Sequence, residues 1–302
     1  MPRSPGARSS ASVREACEAP QGMTDSLAAF RAALLQGRPL RLQDHHDLLQ
    51  ACFPELAALA YVPKPARKGA RRTALDQTQA LLDAVQPALG ALSAPRAQAL
   101  YLAALLACVG QGAGAAASRH ERGEAALARD ALFRLDLPGP LRDEVVYLVR
   151  SQRLPATLGA HPGSLGRMLR LAWTLDTELL YLLAVAVAGT LTPAPAARAQ
   201  ASLAAFRARC EDLGIFGAEP PPLIAPQRWQ AISQIDPRLA RRLQGELRFW
   251  RVKGTIETPA QAETWLAQQQ TLTSGGVLYL PVGIPGSGKS TWVGRHLGGA
   301  RL

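Results

Sequence analysis

Apolar residues recur at three- and four-residue steps through the first two-thirds of this chain, and Pro and Gly interrupt them repeatedly. That spacing places the apolar side chains on one helix face, and each interruption closes one helix before the next. From Thr24 to about Ala60 the pattern runs through Leu27, Phe30 and Leu34, then Leu48, Leu49, Cys52 and Leu56. Thr78, Leu81, Leu82, Val85 and Leu89 mark a further face. Leu100, Leu102, Leu105, Leu106 and Val109 are apolar nearly all round, so that helix is expected to be central. Beyond the small-residue loop Gly110–Ser118, helices are expected at about 122–135, 141–150, 164–173, 177–188 and 195–213.

Alanine and leucine abound and aromatics make up 5% of the chain, which favours helices packed through small side chains. No run reaches the roughly 18 apolar residues of a membrane span, so no membrane is expected. Four scattered cysteines (Cys17, Cys52, Cys108, Cys210) form no CxxC pair, which argues against a zinc site and a disulfide framework. A reducing cytoplasm is the expected compartment. Residues 1–22 carry no apolar core, read as a disordered extension rather than a secretory signal, and leave Met23 as a candidate start.

The formal charge of +11 suits a polyanionic partner. Lys64, Arg67, Lys68, Arg71 and Arg72 form a basic loop, read either as solvated or as a phosphate contact. Pro-rich 217–226 opens a linker, with two short helices expected after it. Asp236-Pro237 supplies an N-cap and first-turn proline for one. Thr258-Pro259-Ala260-Gln261 supplies a first-turn proline and a capping box for the other. Between them Arg238, Arg241, Arg242, Arg248, Arg251 and Lys253 surround Phe249 and Trp250, two rings expected to anchor this connector to a domain.

The chemistry lies further on. An apolar, strand-like run at 276–282 (GVLYLPV) leads directly into Gly283-Ile284-Pro285-Gly286-Ser287-Gly288-Lys289-Ser290, and 289–297 then reads as a helix. Strand, glycine loop and helix together are the context of a P-loop. Gly283, Gly286 and Gly288 allow the backbone to turn several N–H groups toward one anion, at the positive end of a helix. Lys289 would bridge the β- and γ-phosphates of ATP, the Ser290 hydroxyl would ligate Mg2+, and Thr291 would reach the α-phosphate. Pro281 removes a ladder donor at the end of the strand. Only 12 residues, Thr291–Leu302, follow Ser290. A complete kinase also needs an acid for the metal, a group to orient the nucleophile and partner strands for its sheet, so catalysis is not expected from these residues alone.

The string Gly283–Trp292 (GIPGSGKSTW) resembles the P-loop of polynucleotide 5′-hydroxyl kinases. The resemblance covers only that family's first strand, loop and helix, as though the kinase domain were truncated after the P-loop. The region Leu48–Leu213 is similar in layout to HD phosphohydrolase domains, particularly those fused to such kinases in bacterial end-healing enzymes. Where that family has its first metal-binding His this chain has Gln77, and where it has a His-Asp pair this chain has Ala107-Cys108. The next family His is matched by His120. A later His falls near Ser151 or Gln152, and the final Asp near Ala186. The resemblance therefore implies a degenerate HD domain without metal or phosphoesterase activity. His46-Asp47, His161 and His296 are read as surface or solitary residues.

The expected architecture is mainly α. It comprises the extension (1–22), an HD-like helical domain (23–216), a linker with connector helices (217–273) and the start of an α/β P-loop NTPase domain (274–302). The leading function is ATP binding by a relative of nucleic-acid repair kinases, with RNA or DNA ends as partners through the basic loops. Two alternatives stay open: a non-catalytic helical module binding nucleic acid or protein, and a P-loop kinase for a small-molecule acceptor.

Overall fold

The computed structural model describes residues 21–64, 72–112, 121–161 and 165–272. The protein is mainly helical, and it divides into two compact units at Pro221–Pro222. Among the described residues the strands are a two-residue antiparallel pair, β1 (Pro63–Lys64) with β2 (Arg72–Thr73), in which Lys64 lies opposite Arg72. Arg67, Lys68 and Arg71 of the basic loop lie outside the described residues.

The first unit begins with α1 (Gln21–Leu35), α2 (His46–Cys52) and α3 (Pro54–Ala57). Next comes α4 (Ala74–Leu89), which starts in a capping box: the Thr73 N–H donates to Asp76 Oδ2 (2.8 Å) and the Asp76 N–H to Thr73 Oγ1 (3.2 Å). Leu75, Thr78, Leu81, Leu82 and Val85 are its buried face, whereas Leu89 is half-buried. Every residue of α5 (Ala94–Leu106) from Ala99 onward is buried, as its all-round apolar sequence requires of a central helix.

The remaining helices of this unit are α6 (Glu121–Arg134), α7 (Gly139–Ser151), α8 (Leu154–Ala160), α9 (Leu165–Thr174), α10 (Thr177–Gly189) and α11 (Pro193–Asp212). Asp176 caps α10, its Oδ1 accepting from the N–H groups of Glu178 and Leu179 (3.0 and 3.1 Å). Arg96 ties α5 to the same turn, with Nε on Asp176 (2.7 Å) and Nη2 on Glu178 (2.6 Å). The short α8 lies unusually close to α11. A Cβ on Gly159 would come within 1.7 Å of the Ser202 carbonyl oxygen, so only glycine permits the approach. After α11 the chain stays attached. Ile215 is fully buried, Phe216 meets Tyr181 edge-on, and the Gly217 N–H donates to Thr177 Oγ1 (3.0 Å).

The second unit is more than a linker. Three helices, where two were expected, share their own core: α12 (Pro226–Ile235), α13 (Pro237–Lys253) and α14 (Pro259–Leu272). Ile224, Ile232, Ala240, Leu243, Leu247, Ile256, Ala262 and Leu266 fill that core. Pro226, the last residue of the Pro-rich stretch, opens α12. Asp236 caps α13 by accepting from the N–H groups of Arg238 and Leu239. Gly254, at φ +73°, ends it in the left-handed region. Thr258 and Gln261 close the expected capping box on α14. Phe249 and Trp250 are not buried anchors. They are 51% and 38% exposed and pack edge-on against each other.

Candidate functional site

The residues expected to bind phosphate, Gly283, Ile284, Pro285, Gly286, Ser287, Gly288, Lys289, Ser290 and Thr291, lie outside the described residues, as do the apolar run 276–282, His120 and His296. The second group of singled-out positions, those equated with HD metal ligands, is placed by the fold. Gln77 is on α4, Ala107 and Cys108 follow α5, Gln152 follows α7, and Ala186 is on α10. Of these four helices, α5 and α10 each pack against the other three. Gln152 reaches inward, its Nε2 donating to the Ala107 carbonyl at 3.0 Å, and it is 6% exposed. Gln77 turns toward the end of α10, its Nε2 donating to Thr190 Oγ1 at 2.9 Å. Ala186 is buried within α10.

The groups that meet here are neutral. Burial pushes the Cys108 thiol up to about 11, and the neighbouring Thr78, Lys64 and Gln111 pull against this without offsetting it. At neutral pH it is a protonated thiol, a poor nucleophile and a poor metal ligand. The nearby buried carboxylate, Glu124 (3% exposed), is already engaged by Arg153 Nη2 at 2.9 Å. Glu124 and Arg153 carry no sequence signal, because neither lies in a motif and only the fold brings the turn before α8 to α6. Among the described residues no group of three or more His, Cys, Asp and Glu could hold a metal ion. Gln77, Ala107, Cys108, Gln152 and Ala186 thus do not fit the metals of an HD site, which call for imidazole and carboxylate donors.

Of the described histidines, His45 is half-buried with its ring edge-on to Phe30, and the other two are exposed. His46 and Asp47 are exposed at the start of α2, with His46 Nε2 2.9 Å from Gln50 Nε2, and His161 is exposed at the end of α8. Cys52, Cys108 and Cys210 are buried free thiols. Among the described residues no single helix is long and apolar enough to cross a membrane. A scan against protein-family models gives no match, and neither do comparisons with curated proteins and with solved structures.

Proposed function

We propose that this chain is an ATP-phosphate-binding protein related to polynucleotide 5′-hydroxyl kinases. In this reading a metal-less HD-type helical domain precedes the opening strand, P-loop and helix of a kinase domain. The observation that carries it is the string Gly283–Trp292 (GIPGSGKSTW) directly behind the apolar run 276–282. The backbone N–H groups of Gly283–Gly288 cradle the phosphates, Lys289 neutralises the β- and γ-phosphate charge, and Ser290 ligates the accompanying Mg2+.

The packing of α4, α7 and α10 around α5 supports the HD-type half, because it draws the Ala107 and Gln152 positions together at one buried centre. That centre has exchanged ligands for amides, an alanine and a protonated thiol, which leaves it nothing with which to polarise a water. Its role in this reading is structural. Phosphoryl transfer to a polynucleotide 5′-hydroxyl, in the cytoplasm, is the activity the resemblance assigns to the kinase, and it requires groups beyond those of Gly283–Leu302. Titration of the chain with Mg·ATP tests the reading. Binding that disappears in Lys289→Ala, with helicity retained, supports it, and binding indifferent to that change refutes it.

A further inference from the structure

Within the first unit, α7, α8 and α9 enclose a cleft of about 510 Å3. Its floor is apolar: Leu158, Leu171 and Leu175 are each less than a tenth exposed. Arg150 on α7 and Arg167 and Arg170 on α9 line it and are all exposed. None of these three forms an ion pair with a described residue, whereas Arg96 and Arg153 of the same unit are both held by carboxylates. Among the described residues no Asp or Glu lines the cleft. Arg170 Nε donates to the Gly166 carbonyl (3.3 Å), which steadies its guanidinium and leaves the Nη groups for another acceptor. Tyr147, 42% exposed, lies one helical turn before Arg150 on the same wall.

Three guanidinium groups around one concavity repel one another until an anion joins them. Their paired N–H donors match phosphate oxygens better than a point charge would. A bare anion would leave the leucine floor unfilled, so the ligand also needs a flat apolar body. The cleft falls within the roughly 300–1,000 Å3 of ordinary ligand pockets. An exposed ring beside an arginine is also the arrangement on which a nucleobase stacks.

We infer that the cleft between α7, α8 and α9 binds a nucleoside phosphate unit, with the phosphate on the arginines and the base over the leucine floor against Tyr147. The unit comes either from a free nucleotide or from a residue of a single strand. The cleft's lining residues all belong to α7, α8, α9 and the residue after it, and none is in Gly283–Thr291. A P-loop grips β- and γ-phosphates with Mg2+, whereas this cleft needs one phosphate and no metal.

The test is titration of the full chain, in EDTA, with AMP and separately with a five-nucleotide single strand. Arg167→Glu/Arg170→Glu should weaken binding on the order of tenfold or more, with Tyr147→Ala weakening it less. Lys289→Ala should leave it unchanged, so a failed P-loop reading would not be mistaken for a failure here. AMP binding identifies a free nucleotide as sufficient, and binding of the strand alone identifies the strand. Arg150→Gln gives the same comparison should the double variant lose helicity. The inference is overturned if neither probe binds or if the arginine changes leave both unaffected. It is equally overturned if inorganic phosphate binds as well as AMP, or if a short polyglutamate peptide displaces AMP at equal concentration.

Discussion

Replacing Gly159 by Ala should destabilise the first unit even though alanine is the better helix former. The new Cβ would lie 1.7 Å from the Ser202 carbonyl oxygen, 2.6 Å from its carbon and 3.1 Å from the Phe206 nitrogen. All three are backbone atoms of α11, so no side chain can swing aside. Restoring ordinary contact means parting α8 from α11 by about 1.5 Å in an interior packed like a crystal. Overpacking of this kind costs about 1–3 kcal/mol and sometimes more, against a helix-propensity gain of at most about 1 kcal/mol. A net loss of about 2 kcal/mol corresponds to roughly thirtyfold faster amide exchange in the segments that open with the whole unit. Hydrogen exchange of Leu100–Leu106, fully enclosed in α5, reads that opening. The control is Gly245→Ala within α13, where a Cβ meets nothing within 4 Å and propensity alone should act. Unchanged or slower exchange in α5 of Gly159→Ala would refute the close-approach argument.

Two further outcomes follow from the buried centre. Cys108 is raised from 9.0 to about 11, so its contribution is complete below pH 9 and is lost as pH climbs through 11. The shift corresponds to a fall of about 2–3 kcal/mol, and denaturation midpoints at pH 9 and pH 11 should differ less in Cys108→Ala than in the parent. Gln152→Leu removes the donor to the Ala107 carbonyl. Stranding that buried acceptor should cost about 1–3 kcal/mol, seen as a lower urea midpoint.

The helices were legible where the signal is local. Asp236-Pro237 and Thr258-Pro259-Ala260-Gln261 announce the starts of α13 and α14, and both caps form as the residue types require. The all-round apolar character of α5 likewise gave its central place, since a helix with no polar face has nowhere else to go. The features without a local signal depend on partners distant in sequence. Helix α8 has seven residues with a proline among them, and its register is set by Gly159 against Ser202. Helix α12 starts at the last proline of the Pro-rich run and has Ala225, not a capping side chain, before it, so no local signal marks its start. The exposure of Phe249 and Trp250 has no local signal, because it depends on which side of α13 meets the core, and Ala240, Leu243 and Leu247 take that side. The arginine cleft has no linear signature at all. Arg150 is brought to Arg167 and Arg170 only by the packing of three helices.

The central claim is that Gly283–Thr291 binds ATP phosphates. Calorimetric titration with Mg·ATP tests it most directly, comparing the chain with Lys289→Ala, both carrying Arg167→Glu/Arg170→Glu to remove the second cleft. The account predicts saturable binding of one Mg·ATP that is lost with Lys289. Equal affinity in the two proteins, or no binding in either, would contradict it.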